Sequence, residues 1–226
     1  MDISSSTVSQ TLPLLKGKHI LITGTTGFVG KVMLEKIMRT VPDIGGVYLV
    51  IRGNKKHAGE ISEAQFGLPR QEFHSLAGKL DAIVNCAASV NFREELDRAL
   101  TINTYSLRNI VELSDVAGNI PVIQVSTCYV NGFNKGQIHE GLVKPALGEL
   151  PLHKDGYFEV GSLIEELELK VADVYSKYQG KELKAQLIDL GIREANALGW
   201  NDTYTFTKWL GEQILLKSLR GYSLTL

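Results

Sequence analysis

The sequence predicts an α/β fold: a doubly wound parallel sheet with helices on both faces, carrying a helical insertion. Three observations predict it. Short apolar runs recur along the 226 residues, at "KHILITG" (18–24), "GVYLVIRG" (46–53), "LDAIVNCAA" (80–88) and "IPVIQVSTCYVNG" (120–132). Stretches with apolar residues at helical spacing alternate with them, and unbroken apolar strands belong to parallel sheets buried on both faces. The third is "TGTTGFVG" (23–30), a glycine-rich turn between the first strand and the first helix, which makes the fold Rossmann-like.

The elements follow in order. Residues 1–17 are polar and rich in Ser and Thr, so they read as a flexible N-terminal arm. The first strand (18–24) leads through the turn into a helix over 27–41, and the second strand covers 46–53. Between it and the strand at 80–88 lies "NKKHAGEISEAQFGLPRQEFHS", which is mostly polar and holds no convincing helix-plus-strand pair. A β-α-β crossover needs about a dozen connecting residues or more, so a strand is expected to be missing there. A helix follows at 94–118, and the run at 120–132 is a strand that breaks at Ser/Thr. Residues 133–201 form a long insertion with helices expected over 159–178 and 181–199. A helix at 202–221 and a strand opening at "YSLTL" complete residues 18–226 as one cofactor-binding domain.

Composition limits the function. The 24 Lys and Arg against 25 Asp and Glu leave a net charge of −1, which gives no support for a nucleic-acid or anionic-membrane surface. No apolar run is long enough for a membrane span, and the N-terminus lacks a signal-peptide core, so a cytoplasmic protein is expected, with peripheral membrane contact left open. Two cysteines make no disulfide framework, and Cys86 and Cys128 read as buried, inert thiols. No histidine stands at metal-ligand spacing, so no metal is assigned.

Five motifs carry chemistry. Gly24, Gly27 and Gly30 are spaced GxxGxxG between strand and helix, where helix N–H groups can meet a pyrophosphate. NAD sites commonly place an acid after the second strand for the ribose 2′-hydroxyl. Asp43 precedes that strand and does not qualify; Arg52 stands in the position instead, which favours the 2′-phosphate of NADPH. In "NCAASVNF", small Ala87 and Ala88 let a flat cofactor lie against the backbone. In "VSTCYVNG", Ser126 and Thr127 end a strand, where ligands bind in such sheets. In "YTFTK", Tyr204 and Lys208 share one helix face. A nearby ammonium and a positive nicotinamide ring favour the phenolate, so the Tyr204 pKa is expected to fall from near 10 toward the operating range.

Together, "TGTTGFVG", "VSTCYVNG" and "YTFTK" resemble the extended short-chain dehydrogenase/reductase superfamily. The stretches "TGTTGFVGKVMLEKIMRTVP", "NCAASVNFREELDRALTINTYSLRNI", "QVSTCYVNG" and "DTYTFTKWLGEQ" narrow the likeness to fatty acyl-CoA reductases of the male-sterility type, particularly the bacterial alcohol-forming kind. The resemblance implies NADPH-dependent reduction of long-chain acyl-CoA to fatty aldehyde, fatty alcohol or both, as in wax ester biosynthesis. It implies that Gly24, Thr25, Thr26, Gly27, Phe28, Val29 and Gly30 line the pyrophosphate, that Arg52 takes the 2′-phosphate, and that Ala87 and Ala88 flank the cofactor. Asn103 is similar to a structural or proton-relay asparagine and is placed at the cofactor. Thr127 aligns with the catalytic Ser/Thr, with Ser126 as its neighbour, while Tyr204 and Lys208 form the catalytic pair and also touch the cofactor.

In that superfamily the helices at 94–118 and 202–221 commonly pair between subunits, so a homo-oligomer is open. Relatives also carry a helix and a strand where "NKKH" meets "GEISEAQFGL", and they continue past "YSLTL" into a C-terminal acyl-binding region. The chain is therefore expected to be a fragment, with residues absent near Ala58 and Gly59 and most of the acyl pocket outside it. Three alternatives stand beside the reductase. They are a nucleotide-sugar epimerase or dehydratase on the same fold, a reductase of carrier-bound thioesters, and a non-catalytic NADPH-binding regulator.

Overall fold

The computed structural model describes residues 14–53, 59–219 and 224–226. Most of the arm read at 1–17 lies outside the described residues, as do Lys55, Lys56 and Ala58. Five strands form one parallel sheet: β1 (His19–Thr23), β2 (Gly46–Val50), β3 (Ala82–Asn85), β4 (Val122–Gln124) and β7 (Leu224–Thr225), in the order β2-β1-β3-β4-β7. The chain leaves β1 toward β2 on one side and returns to β3 on the other. The crevice between β1 and β3 is thus the topological switch point, where ligands of such sheets bind.

Side-chain alternation builds a layer on each face. Ile20, Ile22 and Val84 point to one side, against Met33, Leu34 and Ile37 of α1 (Phe28–Thr40). Leu21, Ile83 and Val122 point to the other, against α2 (Arg70–Ala77), α4 (Ser106–Val116) and α7 (Thr203–Ser218). Pro42 follows the end of α1 closely, and the residue before a proline is disfavoured from helix.

Between β2 and β3 the described residues hold a helix and no strand. The helix, α2, follows Pro69 and buries Phe73 and Ala77, while Phe66 is buried in the turn before it. Its apolar stripe is Phe73, Leu76 and Ala77 in a polar segment, too short a pattern to stand out in sequence. Gly59 N donates to Ile51 O at 3.1 Å, so the described residues on either side of 54–58 are joined.

Two elements differ from expectation. The helix read over 94–118 is α3 (Leu96–Leu100), a π turn at Thr101–Tyr105, then α4. The strand read over 120–132 is confined to β4, because Thr127 caps a short 3₁₀ turn, Cys128–Asn131, by accepting from Tyr129 N at 3.2 Å.

The insertion begins with a small antiparallel pair, β5 (Leu152–His153) and β6 (Tyr157–Phe158), and continues as α5 (Gly161–Lys177) and α6 (Gly180–Leu198). α6 ends at Gly199 in the left-handed conformation, and Asp202 opens α7 by accepting from Thr205 N at 2.9 Å. The insertion shares a core with the sheet domain, in which Leu167, Leu187 and Leu190 meet Trp200, Phe206 and Trp209. This places α7 between sheet and insertion, buried around most of its circumference although much of it is polar.

Candidate active site

The glycine turn is built by two close approaches. Gly24 has φ +68°, and a Cβ there would lie 2.6 Å from Ala87 N and from the Cys86 carbonyl carbon. The turn thus rests on the chain just past β3, a conformation and contact open only to glycine. A Cβ on Gly30 would lie 2.4 Å from Gly24 O, so α1 packs down onto the turn. Gly27 is different: it is the N-cap of α1, has no side-chain cap, and a Cβ there would meet only Gly24 O at 3.3 Å.

Around this helix start lies a cleft of about 460 Å³. Its walls include Gly24, Thr26, Gly27, Phe28, Val29 and Gly30 from the turn, Arg52 and Glu60 at one end, and Ala87 and Ala88 after β3. Thr25 turns inward instead, with its hydroxyl buried and unpartnered. Arg52 is largely exposed, and its Nε lies 3.8 Å from Glu60 Oε2, so an acidic group shares its corner of the cleft.

A buried polar ladder crosses the strand ends and was not anticipated from sequence. Thr23, Asn85 and Gln124 are register partners on β1, β3 and β4. The Thr23 hydroxyl donates to Asn85 Oδ1 and accepts from Ala87 N at 3.2 Å. Asn85 Nδ2 donates to Gln124 Oε1 at 2.7 Å, and Gln124 Nε2 donates to Val125 O at 2.9 Å. Val125 O also accepts from Lys208 Nζ at 2.7 Å, so the ladder runs from the glycine turn to the lysine. Its sequence signal is one polar residue closing each of three apolar runs, "ILIT", "IVN" and "VIQ".

α7 and the end of β4 bring Thr127, Tyr204 and Lys208 to one place. Thr127 stands beside the Tyr204 phenol and favours its phenolate, and Phe92 packs its ring edge-on against Tyr204 with centroids 5.5 Å apart. The stretch from Ser89 to Phe92 therefore links the cleft, which Ser89 and Val90 line, to the phenol. Asn103, in the π turn, is buried: its Oδ1 accepts from Ser89 N at 2.9 Å, and its Nδ2 donates to Ser89 O at 3.0 Å and Thr207 Oγ1 at 3.1 Å. Its side chain clamps that stretch to α7 and is not among the cleft walls. The Ser126 hydroxyl donates to Glu212 Oε1, on α7.

The charges differ from expectation in one respect. Burial, followed by the Asp202 and Cys128 charges, pushes the Tyr204 phenol up, and Thr127 opposes it. The Lys208 ammonium, whose charge was expected to lower it, donates to Val125 O. Lys208 itself is brought down to about 8 by burial, with Glu212 and Cys86 holding it up. Burial also pushes up Cys86, in keeping with an inert thiol. Cys128 corrects the reading made for both cysteines, since it is exposed.

Residues 22–58 and 55–226 match the family described as male sterility protein, an NAD-binding domain family. The two matched stretches meet beside Ala58 and Gly59, where the sequence reading places absent residues. The chain is 30% identical to fatty acyl-CoA reductase 2, chloroplastic, of Arabidopsis thaliana, over 93% of this chain and 40% of that protein. It is 26% identical to the alcohol-forming fatty acyl-CoA reductase of Simmondsia chinensis, over 95% of this chain and 51% of that protein. The chain thus spans about half or less of the length of these curated relatives. Among solved structures, the terminal R domain of the myxalamid PKS-NRPS biosynthetic pathway superposes with a TM-score of 0.59 at 20% identity. That likeness covers 92% of this chain and 47% of the R domain, and it concerns the fold alone. No helix among the described residues is long and apolar enough to cross a membrane. On its glycine turn, its Thr127–Tyr204–Lys208 cluster and these matches, the chain belongs to the male sterility protein family, in the extended short-chain dehydrogenase/reductase superfamily alongside fatty acyl-CoA reductases.

Proposed function

We propose that this chain carries the cofactor cleft and catalytic hydroxyls of an NADPH-dependent reductase of long-chain acyl-CoA thioesters. The observation that carries the reading is the Thr127–Tyr204 hydroxyl pair standing beside a cleft that begins at an uncapped helix N-terminus. The acyl-CoA substrate rests on the relatives' named activity.

The cleft suits a dinucleotide. A Cβ on Gly27 would stand in front of the α1 N-terminus, in space a phosphate needs. Gly24, Thr26, Gly27, Phe28, Val29 and Gly30 would hold the pyrophosphate, Ala87 and Ala88 would flank the rings, and Arg52 would take the 2′-phosphate. Thr25 would support the turn from within, and Asn103 would act by fixing the Ser89 backbone.

When bound, the nicotinamide supplies a hydride to the thioester carbonyl. The Thr127 and Tyr204 hydroxyls donate to the carbonyl oxygen as its negative charge grows. The raised pKa of Tyr204 keeps its proton in place at neutral pH, which suits a donor. Collapse of the hemithioacetal releases the CoA thiol and leaves an aldehyde, and a second reduction would give the alcohol with Tyr204 donating the proton. The Lys208 ammonium, fixed on Val125 O, holds positive charge one turn from Tyr204.

The test is NADPH oxidation with palmitoyl-CoA, followed by absorbance. Turnover of UDP- or dTDP-sugars in its place would establish the epimerase reading, and turnover only with a phosphopantetheinylated carrier would establish the carrier-bound one. NADPH binding with no oxidation by any acyl-CoA or aldehyde would favour a regulator.

Arg52→Ala is expected to weaken NADPH binding about 10- to 100-fold, since a charge-assisted bond to a phosphate contributes roughly 1.5–3 kcal/mol. NADH binding should hardly change, because NADH offers Arg52 no phosphate. Titration of both cofactors against wild type and variant checks this, and an equal loss for the two would remove Arg52 from the 2′ position. Because Glu60 competes for the same guanidinium, Glu60→Gln should move the preference further toward NADPH.

A further inference from the structure

Glu212 takes no part in the reading above, yet it is a buried carboxylate, 7% exposed, beside the candidate active site. Two neighbours, one of them hydrogen-bonded, account for its place there. Its Oε1 accepts the hydrogen bond of Ser126 Oγ, the residue before Thr127. It also lies one turn along α7 from Lys208, on the face that already carries Tyr204, so the helix presents Tyr204, Lys208 and Glu212 in a row. Glu212 also borders a cavity whose walls include Leu216, Leu219 and Leu224. A carboxylate left unpaired there would be costly.

We propose that Glu212 is a positioning residue of this site, fastening Ser126 at the end of β4 onto α7 and setting a carboxylate one helical turn from the buried Lys208. The catalytic part of this inference rests on the reductase reading above; the charge pairing does not.

The geometry gives the fastening a purpose. Thr127 follows Ser126 directly and stands beside Tyr204, which lies two turns before Glu212 on the same helix. The Ser126–Glu212 bond therefore ties the strand end that carries Thr127 to the helix that carries Tyr204. A shift of β4 along α7 would break that bond and part Thr127 from Tyr204.

The charge effect has a definite sign. The groups that act on the Lys208 charge are the Cys86 thiol from the end of β3 and Glu212 on its own helix, while the Val125 carbonyl accepts its hydrogen bond from the end of β4. Burial lowers Lys208 and Glu212 opposes that lowering. Glu212 is itself pushed up by burial and held down by Ser126 and Lys208, so each charge supports the other. Removing the carboxylate charge should therefore let Lys208 lose its proton at lower pH.

The direct experiment is an NMR titration of lysine-ε-¹³C-labelled full chain without cofactor, with Lys208 assigned by the signal missing in Lys208→Met. Wild-type Lys208 is expected to titrate near 8, apart from the solvent-exposed lysines. In Glu212→Gln, which keeps side-chain size and a partner for Ser126, the midpoint should fall by about one pH unit. Glu212→Asp, which keeps the charge, should restore most of that shift. An unchanged Lys208 midpoint in Glu212→Gln would overturn the proposal, as would an equal fall in Glu212→Asp. If Glu212→Gln does not fold, Ser126→Ala supplies a second readout, with the Glu212 carboxyl expected to titrate at higher pH; no change there would remove the fastening. In turnover, the basic limb of the kcat/KM profile should move to lower pH in Glu212→Gln, in step with the NMR midpoint. A moved midpoint in a protein that reduces no acyl-CoA would leave the pairing standing and sink only the reductase reading.

Discussion

Replacing Tyr204 with phenylalanine is expected to lower acyl-CoA reduction about 10²- to 10⁴-fold, the usual contribution of a positioned acid. The substitution removes one hydroxyl and little else. The ring would keep its edge-on contact with Phe92 and its place on α7. NADPH should bind nearly as before, because the walls that take the pyrophosphate and the 2′-phosphate lie elsewhere in the cleft. Single-turnover rates and NADPH titration on the same preparation separate the two effects. Normal turnover in the variant would sink the assignment of Tyr204 as proton donor.

Gly24→Ala should be strongly damaging, and it should act through structure. A non-glycine residue held at φ +68° costs roughly 1–2 kcal/mol before any contact is considered. The added Cβ would also stand 2.6 Å from backbone atoms of Cys86 and Ala87, and backbone cannot swing aside as a flexible side chain does. Either the turn lifts from β3 or the strands part, and both distort the cleft. The expected result is a clear fall in the denaturation midpoint together with loss of cofactor binding. Gly27→Ala is the contrasting control: its φ of −84° suits alanine and its Cβ meets only Gly24 O at 3.3 Å. That variant should keep its stability and lose cofactor affinity. If both variants bound NADPH like wild type, the glycine turn would not be the phosphate site.

Much of the architecture was legible because it depends on local pattern. Unbroken apolar runs marked β1, β2, β3 and β4, and 3.6-residue periodicity marked α1 and the two helices of the insertion. The residue types of the site were also legible, since Gly24, Gly30, Tyr204 and Lys208 stand at spacings that a turn and a helix impose. What escaped was set by partners distant in sequence. α2 was missed because its buried stripe is only Phe73 and Ala77, and their partners lie on other elements. The break of the run at 120–132 at Ser/Thr was legible, but not that Thr127 makes it by capping the next turn. The Tyr204 phenol is pushed up because burial outweighs Thr127, and the Lys208 ammonium is given to Val125, 83 residues away.

By itself the sequence determined the α/β class, the place of the cofactor turn and the residues able to donate to a carbonyl oxygen, since each follows from a short-range repeat or spacing. Only the tertiary structure decided which of those residues meet. It joined Thr23, Asn85 and Gln124 into a ladder reaching Lys208, gave Asn103 to Ser89 and Thr207, and set Glu212 under Ser126. The physical reason is burial. Where α7 is enclosed between sheet and insertion, each polar group must find a partner inside the protein, and the fold, more than the local sequence, supplies it.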